Sequence, residues 1–148
     1  MLLRVRVPRP RARHDAGFTL IELLMVMIIL GVIAAVAIPV LLSQRAAAHD
    51  ASTKADVTVL GKEIAAYHVD GGSGLDLDLA VQPGRAVLSD DSGVVASIDL
   101  TKGTAVPSAG AASNLGDERT WCVALADPAG AIGTFRYSAA DGLEAGTC

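Results

Sequence analysis

Few residues in this chain have a type and setting that suggest chemistry, and Glu22 is the foremost. It lies at the start of a run of apolar residues, and from Leu23 to Leu42 no side chain carries a charge. A carboxylate beside such a run costs a few kcal/mol if it enters hydrocarbon without a partner, so something must compensate it. Just upstream, Gly17 precedes Phe18 and separates an arginine-rich segment from the apolar run. The flanking pattern makes the Gly17–Phe18 bond a candidate cleavage point, and a glycine, which has no Cβ and lets an enzyme approach the backbone closely, fits that chemistry. A cut there removes the charged head and keeps the apolar run, the reverse of an ordinary secretory signal, whose small-residue site follows its apolar core. An uncleaved anchor with Gly17 at the helix start is the alternative.

The remaining candidates are sparser. Cys122 and Cys148 allow one intrachain pairing, which is chemically permitted if this part of the chain lies outside the cytoplasm. Two unrelated thiols are the alternative. His14, His49 and His68 are far apart in sequence and read as solvated side chains rather than metal ligands. Asp76, Asp78, Asp90 and Asp91 match no calcium loop and read as solvated turn acids. Glycine-rich phosphate loops, paired-cysteine metal motifs and nucleophile elbows are missing, so the sequence predicts neither an enzyme nor a bound cofactor or metal.

The elements that position these residues follow from composition and periodicity. The length of 148 residues supports one modest domain plus one anchor. Residues 1–17 hold five arginines and one aspartate; the remainder holds seven basic and 15 acidic side chains. A basic head, an apolar run and an acidic remainder predict a single-pass orientation with the arginines in the cytoplasm. The acidic remainder argues weakly against broad contact with nucleic-acid phosphates. Leu23–Leu42 is 20 residues, about one hydrocarbon thickness at roughly 1.5 Å per residue. Gly31, Ala34, Ala35 and Ala37 are small and suit helix-on-helix packing. Pro39 predicts a kink or a locally melted turn, with a tolerated kink of no consequence as the alternative.

Past Leu42 the same helix is expected to continue to about Val69. Val57, Leu60, Ile64 and Tyr67 fall on one face, and Gly71-Gly72-Ser73-Gly74 ends the helix. Residues 75–84 read as a connector. Two hairpins follow: Arg85 to Ser89 with Val94 to Leu100, and Arg119 to Ala126 with Ile132 to Ser138, each around a turn signal. Trp121, Val123 and Leu125 share one face of the third run, Phe135 and Tyr137 one face of the fourth, and these are the surfaces expected to meet the helix stripe. Ala139 to Cys148 reads as an irregular tail. The fold class is therefore α+β: a long N-terminal α-helix, half anchor and half amphipathic, packed on a small antiparallel sheet of about four strands. The divisions are 1–17, a leader; 18–42, an anchor and assembly helix; 43–70, its amphipathic continuation; and 71–148, a β-rich head.

The segment Gly17-Phe18-Thr19-Leu20-Ile21-Glu22-Leu23, the uncharged run behind it and Pro39 near its end resemble the N-terminus of type IV pilins and of the pseudopilins of type II secretion and competence systems. The resemblance covers residues 17 to about 42. It implies that a membrane-embedded prepilin peptidase cuts after Gly17 and methylates the new amino terminus at Phe18. That terminus is cationic and lies four residues from Glu22. Within one subunit it would neutralise the carboxylate; between subunits it would draw an incoming Phe18 to the Glu22 of a chain already in place. The alternative is an interfacial glutamate that reaches water by itself. The resemblance further implies a helix that loosens around Pro39 on assembly, a C-terminal disulfide of Cys122 with Cys148, copies of the same chain and minor pilins as partners, and a separate assembly ATPase and platform membrane protein. The chain would sit in the cytoplasmic membrane before assembly and in a surface filament after it. The reading that follows is a structural subunit of a type IV pilus-like filament. A pseudopilin of a secretion or DNA-uptake apparatus is the second reading, and a monomeric membrane-anchored binding module the third.

Overall fold

The computed structural model describes residues 17–72, 74, 76–78 and 84–148. The arginine-rich leader, with His14, and the Pro83 of the connector lie outside the described residues. One helix and seven strands follow in order: α1 (Leu20–Val69), β1 (Asp76–Asp78), β2 (Arg85–Asp90), β3 (Gly93–Asp99), β4 (Ala112–Ser113), β5 (Cys122–Ala126), β6 (Thr134–Ser138) and β7 (Gly142–Ala145). The chain divides into two units, one ending at Ile38 and the other spanning Pro39–Cys148.

The first unit is the apolar helix. Its large side chains are exposed, Phe18 at 79% and Leu20 at 82%. The second unit contains the rest of α1 and the seven described strands. The helix runs without a break through Pro39, so of the two outcomes expected there, a kink or a locally melted turn, the melted turn is not present. The end of α1 follows the glycine signal closely. Gly72 N–H donates to the Tyr67 carbonyl at 3.1 Å and Gly71 N–H to the His68 carbonyl at 3.1 Å. Gly71 takes a φ of 83°. This is the paired Schellman closure, which satisfies the last orphan carbonyls and needs a residue without Cβ at the left-handed position.

The strands form two antiparallel sheets, of order β1-β2-β3 and β4-β5-β6-β7. The α+β class stands, while a single sheet of about four strands becomes two sheets with seven described strands. Both expected hairpins form. In the first, Asp90 pairs with Gly93, and the Asp90 Oδ1 accepts the N–H groups of Ser92 at 2.8 Å and Gly93 at 3.2 Å. In the second, Cys122 to Ala126 pairs with Ser138 to Thr134.

The additional strands are short and lie where turn chemistry hid them. Residues 76–78, read as connector, add β1 to the edge of β2. Their Leu/Asp alternation was a strand signal, outweighed in the sequence by the nearby Pro83-Gly84. The tail read as irregular contains β7, which pairs Ser138 with Gly142 and Phe135 with Ala145. Its tight entry depends on Gly142 at φ 70° and on Asp141 N–H donating to the Ser138 hydroxyl at 3.1 Å.

The core lies between the second half of α1 and the sheets. Val57, Leu60 and Ile64 are fully buried and join Leu88, Trp121, Val123, Leu125 and Phe135 in one cluster, with Tyr67 and Tyr137 partly buried at its margin. The predicted stripe and the predicted strand faces therefore meet. Gly61, beside Leu60, is what allows the close approach: a Cβ there would stand 2.6 Å from Cγ of Tyr137.

Candidate processing and assembly site

Gly17 and Phe18 precede α1 in irregular backbone, and Gly17 is not the helix start. Both are exposed. An added Cβ at Gly17 would meet no atom within 4 Å, and no positive φ marks the position. Nothing among the described residues therefore requires glycine there. The bond between Gly17 and Phe18 is open on the surface of the chain.

Thr19 caps the helix. Its backbone N–H donates to Glu22 Oε2 at 2.9 Å and its hydroxyl donates to the same oxygen at 2.8 Å, while Glu22 N–H donates to Thr19 Oγ1 at 3.3 Å. This is the reciprocal capping box of a threonine and a glutamate three residues on. The signature Thr-x-x-Glu was visible in the sequence and adds a second task to Glu22. The carboxylate is held within its own chain by Thr19, and it also favours the positive end of the helix dipole. Oε1 makes no hydrogen bond among the described residues, which leaves half of the carboxylate open to a cation from outside.

From Leu23 to Leu42 every large apolar side chain is exposed, with Val26 least so at 44%. This stretch is long and apolar enough to cross a membrane, and none of it is buried. Exposed apolar area on this scale is costly in water and marks a membrane or an interaction surface.

The second unit holds the lower part of its helix by a row of polar ties that sequence reasoning missed. Asp50, 7% exposed, accepts the N–H groups of Ile132 at 3.1 Å and Gly133 at 3.0 Å. Asp127, 1% exposed, accepts Ala129 N–H at 2.9 Å and meets His49 Nδ1 at 2.8 Å. Asp56 accepts the backbone N–H of Thr101 at 2.8 Å and its hydroxyl at 3.0 Å. Backbone donation from Gly133 holds the Asp50 carboxyl below the ordinary aspartate value, and donation from Ala129 does the same for Asp127; burial opposes both. His68 contacts the Leu115 carbonyl at 3.0 Å through Nε2. His49 and His68 are thus structural ties, although both remain partly exposed. Asp90, read as a solvated turn acid, is likewise engaged by Ser92, Gly93 and the Tyr67 hydroxyl, the last at 3.0 Å. The signal available for these ties was the mixture of acids and histidines on the otherwise alanine-rich part of α1.

Cys122 and Cys148 form a disulfide with Cα atoms 5.8 Å apart. It ties the tail to β5, and Cys148 N–H donates to the Gly110 carbonyl at 3.0 Å.

The model of the prokaryotic N-terminal methylation motif matches residues 12–38. Competence protein ComGC of Halalkalibacterium halodurans is 35% identical over 57 residues, which are 38% of this chain and 56% of that protein. The chain thus spans little more than half the length of this relative. No solved structure matches.

Proposed function

From the N-terminal methylation motif of the type IV pilin and pseudopilin family, which this chain carries, we propose that the protein is a structural subunit of a type IV pilus-like filament. It is made as a membrane-anchored precursor with its N-terminus in the cytoplasm. Prepilin peptidase cuts it after Gly17 and methylates Phe18, and it polymerises through its N-terminal helix into an extracellular filament. Its partners are further copies of itself, minor pilins, an assembly ATPase and a platform membrane protein. The subunit itself carries out no catalysis.

The observation that carries this reading is the exposed, uncharged run of α1 from Leu23 to Leu42. Such a surface must be covered, first by lipid and then by the helices of other copies, for which Gly31, Ala34, Ala35 and Ala37 allow close approach. Gly17 supports the same reading. A glycine with no role in packing among the described residues suits a position read by an external enzyme. Glu22 supports it as well, because its free Oε1 suits the amine that the cut creates on Phe18 of a neighbour.

Replacing Glu22 by Ala tests this. The expected result is a protein that is trimmed, stays in the membrane and builds no filament. Undiminished filaments from Glu22→Ala would overturn the pairing, and a chain that functions fully as an unassembled membrane protein would favour the anchored binding module instead.

The similarity to a competence protein favours a second reading, a pseudopilin of a DNA-uptake apparatus. Deleting the gene then abolishes transformation while leaving sheared surface fibres unaltered. Long surface fibres built from this chain favour the pilus reading.

A further inference from the structure

Within the second unit, an apolar knob and an apolar hollow lie at opposite ends of its stretch of α1. The knob is the turn between β5 and β6, where Pro128, Ala129, Ala131 and Ile132 are exposed, Ile132 at 58%. This turn is pinned from beneath. Asp50 accepts the N–H groups of Ile132 at 3.1 Å and Gly133 at 3.0 Å, and Asp127 accepts Ala129 N–H at 2.9 Å. Asp127 N–H in turn donates to the Gly133 carbonyl at 2.7 Å. A Cβ at Gly130 would collide with Asp50 Oδ1, so the turn rests directly on that carboxylate. Two buried carboxylates thus fix the outline of an uncharged, exposed surface. A surface ordered in advance loses little entropy on binding.

The hollow is open, measures about 400 Å³ and is lined by Ala65, His68 and Val69 of α1 together with Glu118, Arg119 and Trp121. Trp121 is 3% exposed and stacks on Tyr137, which makes it a fixed wall, whereas Val69 is 85% exposed. Asp50 beneath the knob and Val69 beside the hollow are 19 residues apart on one helix, roughly 28 Å along its axis. Knob and hollow therefore cannot meet within one chain. Between copies they make a heterologous contact, which builds an open polymer when the rotation does not close.

Charge singles out a second copy as the occupant. The knob end is cationic. Arg45 lies one turn before His49, which meets Asp127 at 2.8 Å, and a Cβ at Gly103 would stand 2.7 Å from Asp127 Oδ2, which places the Lys102 turn beside the knob. Arg45 and Lys102 are exposed and have no ion-pair partner among the described residues. The acids at this end are engaged: Asp50 and Asp127 as above, Asp56 by Thr101, and Asp99 by Arg85 at 2.7 Å. The hollow end is anionic. Asp70 follows Val69, Glu118 lines the hollow and Asp141 lies close by in sequence, all exposed, against one arginine, Arg119, which pairs with Glu118 at 3.3 Å. An apolar centre with charges of opposite sign around it is the make-up of a specific interface. We propose that the turn 128–132 of one copy seats in the hollow beside Val69 and Trp121 of the next, a head-to-tail contact that repeats along the filament. The inference rests on the filament reading above for the setting in which copies meet.

The test uses the full chain in its own cells. Ile132→Cys and Val69→Cys, both at exposed positions, are made singly and together, and a short bis-maleimide is added to whole cells. Cys122 and Cys148 are joined and do not react. The expected result is a ladder of covalent oligomers from the double variant and monomers from each single variant. The two single variants in one cell should give dimers that grow no further. A second pair needs no crosslinker: Ile132→Leu keeps the knob and should build filaments as the native chain does, while Ile132→Asp should lose most of them. Monomers from the double variant, in cells whose sheared filaments contain it, overturn the contact and leave the filament reading standing. Dimers from Ile132→Cys alone mark a symmetric pairing of the turn and overturn it too, as do undiminished filaments from Ile132→Asp. A ladder in cells that build no filament supports the contact and removes the filament reading. With neither ladder nor filament, both fall.

Discussion

Replacing Gly61 by Ala should destabilise the head, although helix propensity alone argues the opposite. In a helix interior, alanine is favoured over glycine by about 1 kcal/mol. Against this, the new methyl would stand 2.6 Å from Cγ and 3.0 Å from Cβ of Tyr137. Those atoms sit at the root of the side chain, so a ring flip does not move them away. The ring also stacks on Trp121, with centroids 6.0 Å apart and planes 10° from parallel. Overpacking of this kind costs about 1–3 kcal/mol, and a lost aromatic pair adds roughly 0.5–1.5 kcal/mol. Packing therefore wins, for a net loss of about 1–3 kcal/mol. For a domain of this size each kcal/mol lowers the unfolding midpoint by roughly 4 °C or somewhat more. The assay is thermal unfolding of the full chain in detergent, followed by fluorescence of Trp121, its single tryptophan. In a Tyr137→Ala background the contact with Cγ is gone and only the 3.0 Å approach to Cβ remains, so the same Gly61→Ala change should cost clearly less. A higher midpoint for Gly61→Ala with Tyr137 intact, or the same shift in both backgrounds, would refute the packing argument.

Two further outcomes follow from the same contacts. Converting both Cys122 and Cys148 to Ser should lower stability by about 3.5 kcal/mol on the chain-entropy account of their separation of 26 residues, measured by denaturant unfolding, and reduction of the native protein should reproduce it. The folded-state values of Asp50 and Asp127 are lowered by backbone N–H donation. Their contribution is therefore present in full above the unfolded aspartate pKa of about 3.9 and is lost as pH falls through the lower folded values. Unfolding midpoints measured across that acid window should drop, and Asp50→Asn should flatten part of the drop; a profile unchanged by that substitution would contradict the assignment.

The parts of this fold legible in the sequence are those set by local pattern. The apolar run, the Val57–Leu60–Ile64 stripe and the glycine stop fix α1 to within two residues of its expected bounds, because periodicity and capping act over a few residues. Both hairpins are marked by alternation and turn residues. What escaped depends on contacts between distant parts of the chain. β1 and β7 are only three and four residues long and exist because β2 and β6 offer them an edge. The ties from His49, Asp50 and Asp56 join residues 45 to 83 positions apart, and no local pattern announces them. Gly61 was a signal passed over: a lone glycine inside a helical pattern usually marks a close approach. At the candidate site, Gly17, Phe18 and Glu22 were singled out by their setting and by the pilin resemblance, whereas the capping role of Thr19 was written in the sequence as Thr-x-x-Glu and overlooked beside the question of charge.

The central claim is that processing turns an arginine-headed precursor into a filament subunit whose chain begins at Phe18. Intact-mass analysis of the protein purified from its own cells tests this most directly. The expected species starts at Phe18, carries one methyl group and is two hydrogens lighter than the reduced chain because Cys122 and Cys148 are joined. A protein that retains its arginine-rich head, with no trimmed species present, would contradict it.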